Sequence, residues 1–303
     1  MSILILSRSE NVHADMVSEY CAQHASVHRI NFDFDALSPE NLSLVTLGNT
    51  VPDEMPCAVF VHHPRVSYCK EWFADEIERK LFLASWDSVK EWMEAKYHRA
   101  LWVNRPSANY NTKNVLQQLR RAEHLGLNTP ETLFTNDIEK LKHFAGDSRL
   151  AIKQGNLGVH IEKKRILTSL VDINEIEQGI LQGCPCLFQK YTEKQYELRV
   201  HVIGDKVLAC KIDSQASKKT SIDWRNYDLD NTPHEPYELD MEMSNKCVEL
   251  VKQLGLEFGI IDMIVSPEGE YIFLECNAQG HWAWIEDMTH LPITQTLCDH
   301  LIR

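Results

Sequence analysis

Two apolar runs, FGIIDMIV (258–265) and YIFLECN (271–277), are joined by Ser266-Pro267-Glu268-Gly269, and this punctuation constrains the chain more than any other segment. Pro and Gly in the connection set a tight turn, so the runs are expected to pair as an antiparallel hairpin. Asp262 sits in the middle of the first run, where a lone carboxylate is costly unless it meets a cation or hydrogen-bond donors. Side chains alternate along a strand, which assigns Tyr271, Phe273, Glu275 and Asn277 to one face and Ile272, Leu274 and Cys276 to the other. The turn then brings Asp262 beside Glu275 and Asn277. Three oxygen ligands with room for water and phosphate suit a Mg²⁺ ion carried by a nucleotide. The competing reading is an edge hairpin with a solvated polar face.

A second strand, YELRVHVIG, separates Tyr196, Leu198, Val200 and Val202 from Glu197, Arg199 and His201. Acid, guanidinium and imidazole in one row suggest a site, Arg199 being a fixed planar cation suited to phosphate oxygens. The alternative is an outward, solvated face; His201 is expected to be structural. Lys153 ends the apolar run LAI and opens into Gln154-Gly155-Asn156-Leu157-Gly158, a loop able to grip phosphates through backbone N–H groups, although it lacks the GxxxxGK[ST] pattern. Lys113, near a helix start, says little alone.

Around these segments, strands at 3–6, 27–32 and 58–61 with a helix near 14–23 predict an α/β unit with a parallel sheet. Residues 70–98 read as a helix whose Trp72, Ile77, Leu81, Trp86, Val89 and Met93 face a core. Beyond about residue 105 the pattern turns to α+β: a helix at 112–125 stopping at Gly126, and a helix capped by Asn136 with Glu139. Strands follow at 129–134, 150–153, 187–191, 197–203 and 207–214, then a helix at 240–254. The polar segment 213–222 is either a mobile active-site loop or a merely solvated one. A net charge of −13 argues against a nucleic-acid grip. Nine scattered Cys without CxxC or zinc-finger spacing, no signal peptide and no apolar run near 18 residues imply a reduced, cytoplasmic protein with no membrane partner.

In chain order, Lys113, Lys153 with its glycine loop, FQKY, ELR and Asp262…Glu275-x-Asn277 resemble the ATP-grasp superfamily. The resemblance implies an ATP-grasp fold, α/β followed by α+β. An N-terminal Rossmann-like (pre-ATP-grasp) domain would span 1–105, a central lobe 106–190 and a C-terminal lobe with the metal site 191–303. It implies ATP and Mg²⁺ as cofactors, with Lys113 and Lys153 on phosphates and Gln189, Lys190 and Tyr191 at the adenine. Glu197 would take the ribose and Arg199 the phosphates; Arg199 and Lys153 would be catalytic, and Asp262, Glu275 and Asn277 would hold the metal. Within the superfamily the chain is most similar to microviridin-type peptide ligases (graspetide synthetases), on WVNRPSANYNTKNVLQQLRRAEHLGLNTPETLFTND, ELRVHVIGDKV, Asp223-Trp224-Arg225 and LECNAQGHWAWIE. That likeness implies a ribosomal precursor peptide, leader and core, as partner, Asp223 and Arg225 as substrate contacts, and a possible homodimer. Where such ligases often carry a basic pair, this chain has Val61-His62-His63-Pro64, whose histidines are expected to be structural. Glu275→Ala or Arg199→Ala should abolish turnover with the fold intact.

Overall fold

Short apolar runs alternating with helices build the first layer. β1 (Ser2–Ser7), α1 (Val12–Cys21), β2 (Ser26–Asn31), β3 (Ala58–Val61), α2 (Glu76–Lys96) and β4 (Leu101–Val103) follow in turn. The strands form a parallel sheet in the order β2-β1-β3-β4. A computed structural model supplies these coordinates, describing all residues but 34–51, 67, 154–159, 162, 163, 166–168, 174, 175, 177–180, 182 and 184. At Lys153, His160, Ile161, Lys164, Arg165 and Ser169 it describes the backbone alone. Asn11 caps α1 by accepting from the Ala14 N–H, and Asp75 caps α2 through Ile77 and Glu78. The expected apolar stripe of α2 is only partly buried. Trp86 and Met93 join Leu4, Leu6, Val59 and Trp102 in a core, because the C-terminal half of α2 is what packs on the sheet. Ile77 and Leu81 are 67% and 63% exposed, and Trp72, on a short 3₁₀ turn before the helix, is exposed as well.

A short unpredicted helix, α3 (Pro106–Asn111), precedes the helix predicted at 112–125, which is α4 (Val115–His124). Pro106 starts the first, where its missing N–H costs nothing, and Asn114 caps the second. Next come β5 (Thr132–Thr135) and α5 (Ile138–Ala145), whose cap is Asp137, one residue beyond the expected Asn136. β6 (Leu150–Lys153), the short pair β7 (His160–Ile161) and β8 (Lys164–Arg165), β9 (Ser169–Val171) and β10 (Cys186–Lys190) complete this lobe. Its antiparallel sheet runs β5-β10-β6-β9.

β11 (Tyr196–Ile203), β12 (Lys206–Ile212), β13 (His234–Tyr237), α6 (Met241–Gln253), β14 (Phe258–Val265) and β15 (Tyr271–Asn277) then give a third sheet, ordered β13-β12-β11-β14-β15. Its two faces differ. Leu198, Val200, Val202, Ile261, Met263 and Phe273 lie on one and pack beneath α4 and α6. From the other face Ile203, Phe258 and Ile260 share a core with Ile3, Ile5 and Phe60 of the first sheet. α7 (Ala283–Thr289) and α8 (Ile293–Ile302) close that shared core, and Leu297 and Cys298 lie against Val17 and Cys21 of α1. No helix among the described residues is long and apolar enough to cross a membrane.

Candidate active site

The polar row expected on the third sheet is built by strand register. Arg199 on β11 pairs with Asp262 on β14, and Asp262 pairs with Glu275 on β15, so three charged residues stand abreast across three strands. The hairpin places Asp262, Glu275 and Asn277 together: the Asn277 amide donates to Asp262 Oδ2 at 3.0 Å and to Glu275 Oε1 at 3.4 Å. The simple alternation predicted for β15 fails at one point. Register shifts between Asp262 and Met263, where Glu275 faces the former and Phe273 the latter, leaving Leu274 as the extra residue of a β-bulge. The bulge sends Phe273 into the core with Cys276, while Leu274 and Glu275 both turn to the cleft.

That cleft, about 650 Å³, opens between the second and third sheets. Gln189, Lys190, Tyr191, Glu197, Asp223, Arg225, Asp262 and Glu275 line it, together with Ala151 and Ile264. Arg199 stands beside them with its Nη1 on Asp262 Oδ1 at 2.7 Å and its Nη2 on the His281 carbonyl at 3.1 Å. The guanidinium lies over the Trp224 ring, 5.0 Å from its centroid, and its Nε is buried with no partner among the described residues. Gly280 permits this approach: a Cβ there would fall 3.2 Å from Arg199 Nη2 and 2.7 Å from Ile260 Cδ1. Burial pushes the Asp262 carboxyl up, with Arg199 pulling against it. Because the pair is buried, removing Arg199 strands a charge, so the expectation of an intact fold is corrected for this residue and kept for Glu275.

Asp223 and Arg225 form a bidentate pair at 2.8 Å on both arms, and Arg225 Nη1 reaches Glu275 Oε1 at 3.3 Å. The Asp-Trp-Arg motif is thereby wired to the metal-ligand candidates. Segment 213–222 is anchored in part and exposed in part: Ser214 and Thr220 are buried, with Thr220 Oγ1 donating to the Ser214 carbonyl at 2.8 Å, while Gln215, Lys218 and Lys219 face solvent and Ile222 lines the cleft. Glu197, buried where burial pushes its carboxyl up, pairs with Lys194 at 2.7 Å, a residue the motif reading missed although its i, i+3 spacing was visible. Gln189 Nε2 bonds Thr132, Lys190 pairs with Glu131, and Tyr191 lies under the Arg149 guanidinium. Lys113 is not among the residues lining the cleft; it is exposed with its ammonium over the Tyr110 ring. Lys153 ends β6 opposite Leu187, while its side chain and the loop 154–158 lie outside the described residues.

The donor set fits Mg²⁺. Two carboxylates and an amide converge, and a half-turn of the Asn277 amide would present its oxygen in place of nitrogen. Two polar residues of the segment 102–137, neither singled out as a site residue, hold the hairpin. Gln118 on α4 accepts from the Cys276 N–H at 2.6 Å and donates to its carbonyl at 3.0 Å. Asn104 receives the Glu257 and Phe258 N–H groups and donates to the Phe258 and Ala278 carbonyls, all at 2.7–2.9 Å.

His201 is structural, as expected. Its Nδ1–H donates to the Leu208 carbonyl, and complete burial pushes its value down to about 3. Unfolded, it would titrate near 6.5, so the unfolded chain binds the extra proton between these values. Stability is therefore full above about 6.5 and falls with pH at up to about 1.4 kcal/mol per unit. Urea unfolding at pH 6.5 and 5 should show a loss smaller by about 2 kcal/mol in His201→Leu than in wild type; equal losses would contradict the assignment.

No family model matches the chain. The structure resembles the macrocyclase MdnC of Microcystis aeruginosa, solved with precursor peptide MdnA, at TM-score 0.83 and 26% identity over 100% of this chain and 99% of that one. It is also similar, at TM-score 0.82 and 26% identity over 99% and 96%, to a RiPP-associated ATP-grasp ligase of Chryseobacterium gregarium, solved with ADP and a leader and core peptide. Human N-acetylaspartylglutamate synthase A is 23% identical over 211 residues, 65% of this chain and 51% of that protein, so the match spans about half of the relative's length.

Proposed function

We propose that this chain, which has the fold of the ATP-grasp peptide ligases, activates Asp or Glu side chains of a ribosomal precursor peptide and closes cross-links between its side chains. The peptide carboxylate attacks the γ-phosphate of ATP, releasing ADP and leaving an acyl phosphate. A Ser or Thr hydroxyl, or a Lys amine, of the same peptide then attacks the acyl carbon and expels phosphate, giving an ester or amide. One observation carries the reading: Arg199, Asp262 and Glu275 stand in one row across three strands, and Asp262 and Glu275 face the cleft between the two sheets. The solved relatives bound to ADP and to precursor peptides support it.

Phosphoryl transfer asks the protein mainly for positioning and charge stabilisation. Asp262, Glu275 and Asn277 would hold Mg²⁺, which neutralises phosphate oxygens. Arg199 is already fixed by Asp262, the His281 carbonyl and the Trp224 ring, so it meets developing charge without reorganising. Gln189, Lys190 and Tyr191 would form the wall for the adenine, and Glu197, paired with Lys194, would take the ribose hydroxyls. Asp223 and Arg225 would orient the peptide beside Glu275, and Lys153 would reach the phosphates.

Incubation with Mg·ATP and the small peptide encoded beside the gene tests this. Loss of one water per linkage, with ADP and phosphate released, is the expected outcome. ADP formation with a gain in mass would overturn it, favouring a kinase or the amino-acid-adding ligase that the 23% identical synthase represents. Lys194→Met should raise the KM for ATP about tenfold or more through loss of a charged hydrogen-bond partner; an unchanged KM would remove Glu197 from the ribose.

A further inference from the structure

We propose that His13, His62 and His281 form a site for a borderline-soft divalent cation, zinc by its chemistry, clasping α1 and the end of β3 to the segment after β15. Their ligating atoms all lie within 4.8 Å of one another. His13 sits in the first turn of α1, His62 directly follows β3, and His281 precedes α7. Around a tetrahedral zinc with bonds of roughly 2.0–2.1 Å, nitrogens stand about 3.3 Å apart. The movement required is therefore about an ångström and a half. His281 is the exposed member of the three.

Two further observations point to a cation. His13 Nδ1 is buried with no partner among the described residues, a lone pair or N–H left unused. His62 Nδ1 meets the Asn11 amide, 3.0 Å from Nδ2 and 3.1 Å from Oδ1, and with the oxygen turned to Nδ1–H that amide would orient the ring, leaving Nε2 only a long 3.5 Å contact to the Gly280 carbonyl for a cation to replace. His63 is a strap, not a ligand: its Nε2–H donates to the Gln279 carbonyl at 2.8 Å.

The alternative occupant of a histidine cluster is an anion, and the electrostatics speak against it. His13 and His62 are buried among aromatic rings, a setting that disfavours charged imidazolium and so a bound anion, and favours imidazoles with a lone pair to give. Three neutral imidazoles without a carboxylate suit zinc, and not Mg²⁺ or Ca²⁺. Arg199, near enough to depress His13, is itself neutralised by Asp262. Trp282 and Phe60 wall the cluster and keep its environment apolar.

The test uses the full chain, stripped by chelator and held in excess Mg²⁺. One equivalent of Co²⁺ should give the visible d–d bands of a nitrogen-ligated ion, and Zn²⁺ should displace it and raise the thermal midpoint. His281→Ala, a change at an exposed side chain, should fold normally by near-UV circular dichroism and bind Zn²⁺ at least 100-fold more weakly. Glu275→Gln should keep both the bands and the affinity. Absence of bands in wild type, equal Zn²⁺ affinity in His281→Ala, or loss confined to Glu275→Gln would each overturn the proposal.

Discussion

Arg199→Ala is expected to lower ADP release at least 100-fold and, separately, to reduce unfolding free energy by about 3–5 kcal/mol. The two effects have different origins. The first is loss of a preorganised donor at the phosphates. The second arises because Asp262, 6% exposed, keeps a carboxylate that nothing else in the row can neutralise as well. Glu275→Ala should match the first effect and show little of the second, since its carboxylate is half-buried and Arg225 retains Asp223. The double variant Arg199→Met/Asp262→Leu separates them, recovering stability while staying inactive. Urea unfolding alongside ADP release checks all four proteins. Arg199→Ala with full stability would mean the ion pair carries no structural weight, and retained turnover would remove Arg199 from the chemistry.

Asn104→Ala should cost about 3–5 kcal/mol although the residue does not line the cleft. One amide satisfies four backbone groups at the two ends of the final hairpin, and alanine leaves those buried groups without partners at about 1–3 kcal/mol for each that water cannot reach. Asn104→Asp should lose nearly as much, because the side chain must both donate and accept. The expected readout is a lower urea midpoint with an unchanged slope; a wild-type midpoint would show that water replaces the amide.

Legibility in the sequence followed the range of the interaction. β14 and β15 match their predicted bounds because apolar runs and a Ser-Pro-Glu-Gly turn are local signals, and register then delivers the Asp262–Glu275–Asn277 cluster without further information. The bulge at Leu274 left no mark, since one extra residue in an alternating strand looks like a continued alternation. Asn104 was hidden because its partners lie 153–174 residues away, and Asn-Arg-Pro reads locally as a turn. Ile77 and Leu81 misled in the opposite direction: helical spacing reports which face could be buried, and only the sheet decides how far along the helix the covering extends. Lys113 was placed by resemblance to a pattern, since a single exposed lysine near a helix start carries no local signal of its own.

The core shared between the first and third sheets has a bearing on how the molecule is made. β1, β3 and α1 bury one side against Ile203, Phe258, Trp282, Leu297 and Cys298, all synthesised at least 140 residues after β3. During synthesis, then, the amino-terminal sheet emerges with one flank bare, and apolar surface of that kind is where nascent chains stick to one another or recruit chaperones. The sheet cannot finish folding until the last helices arrive. Assembly of that flank waits until α8 has been made.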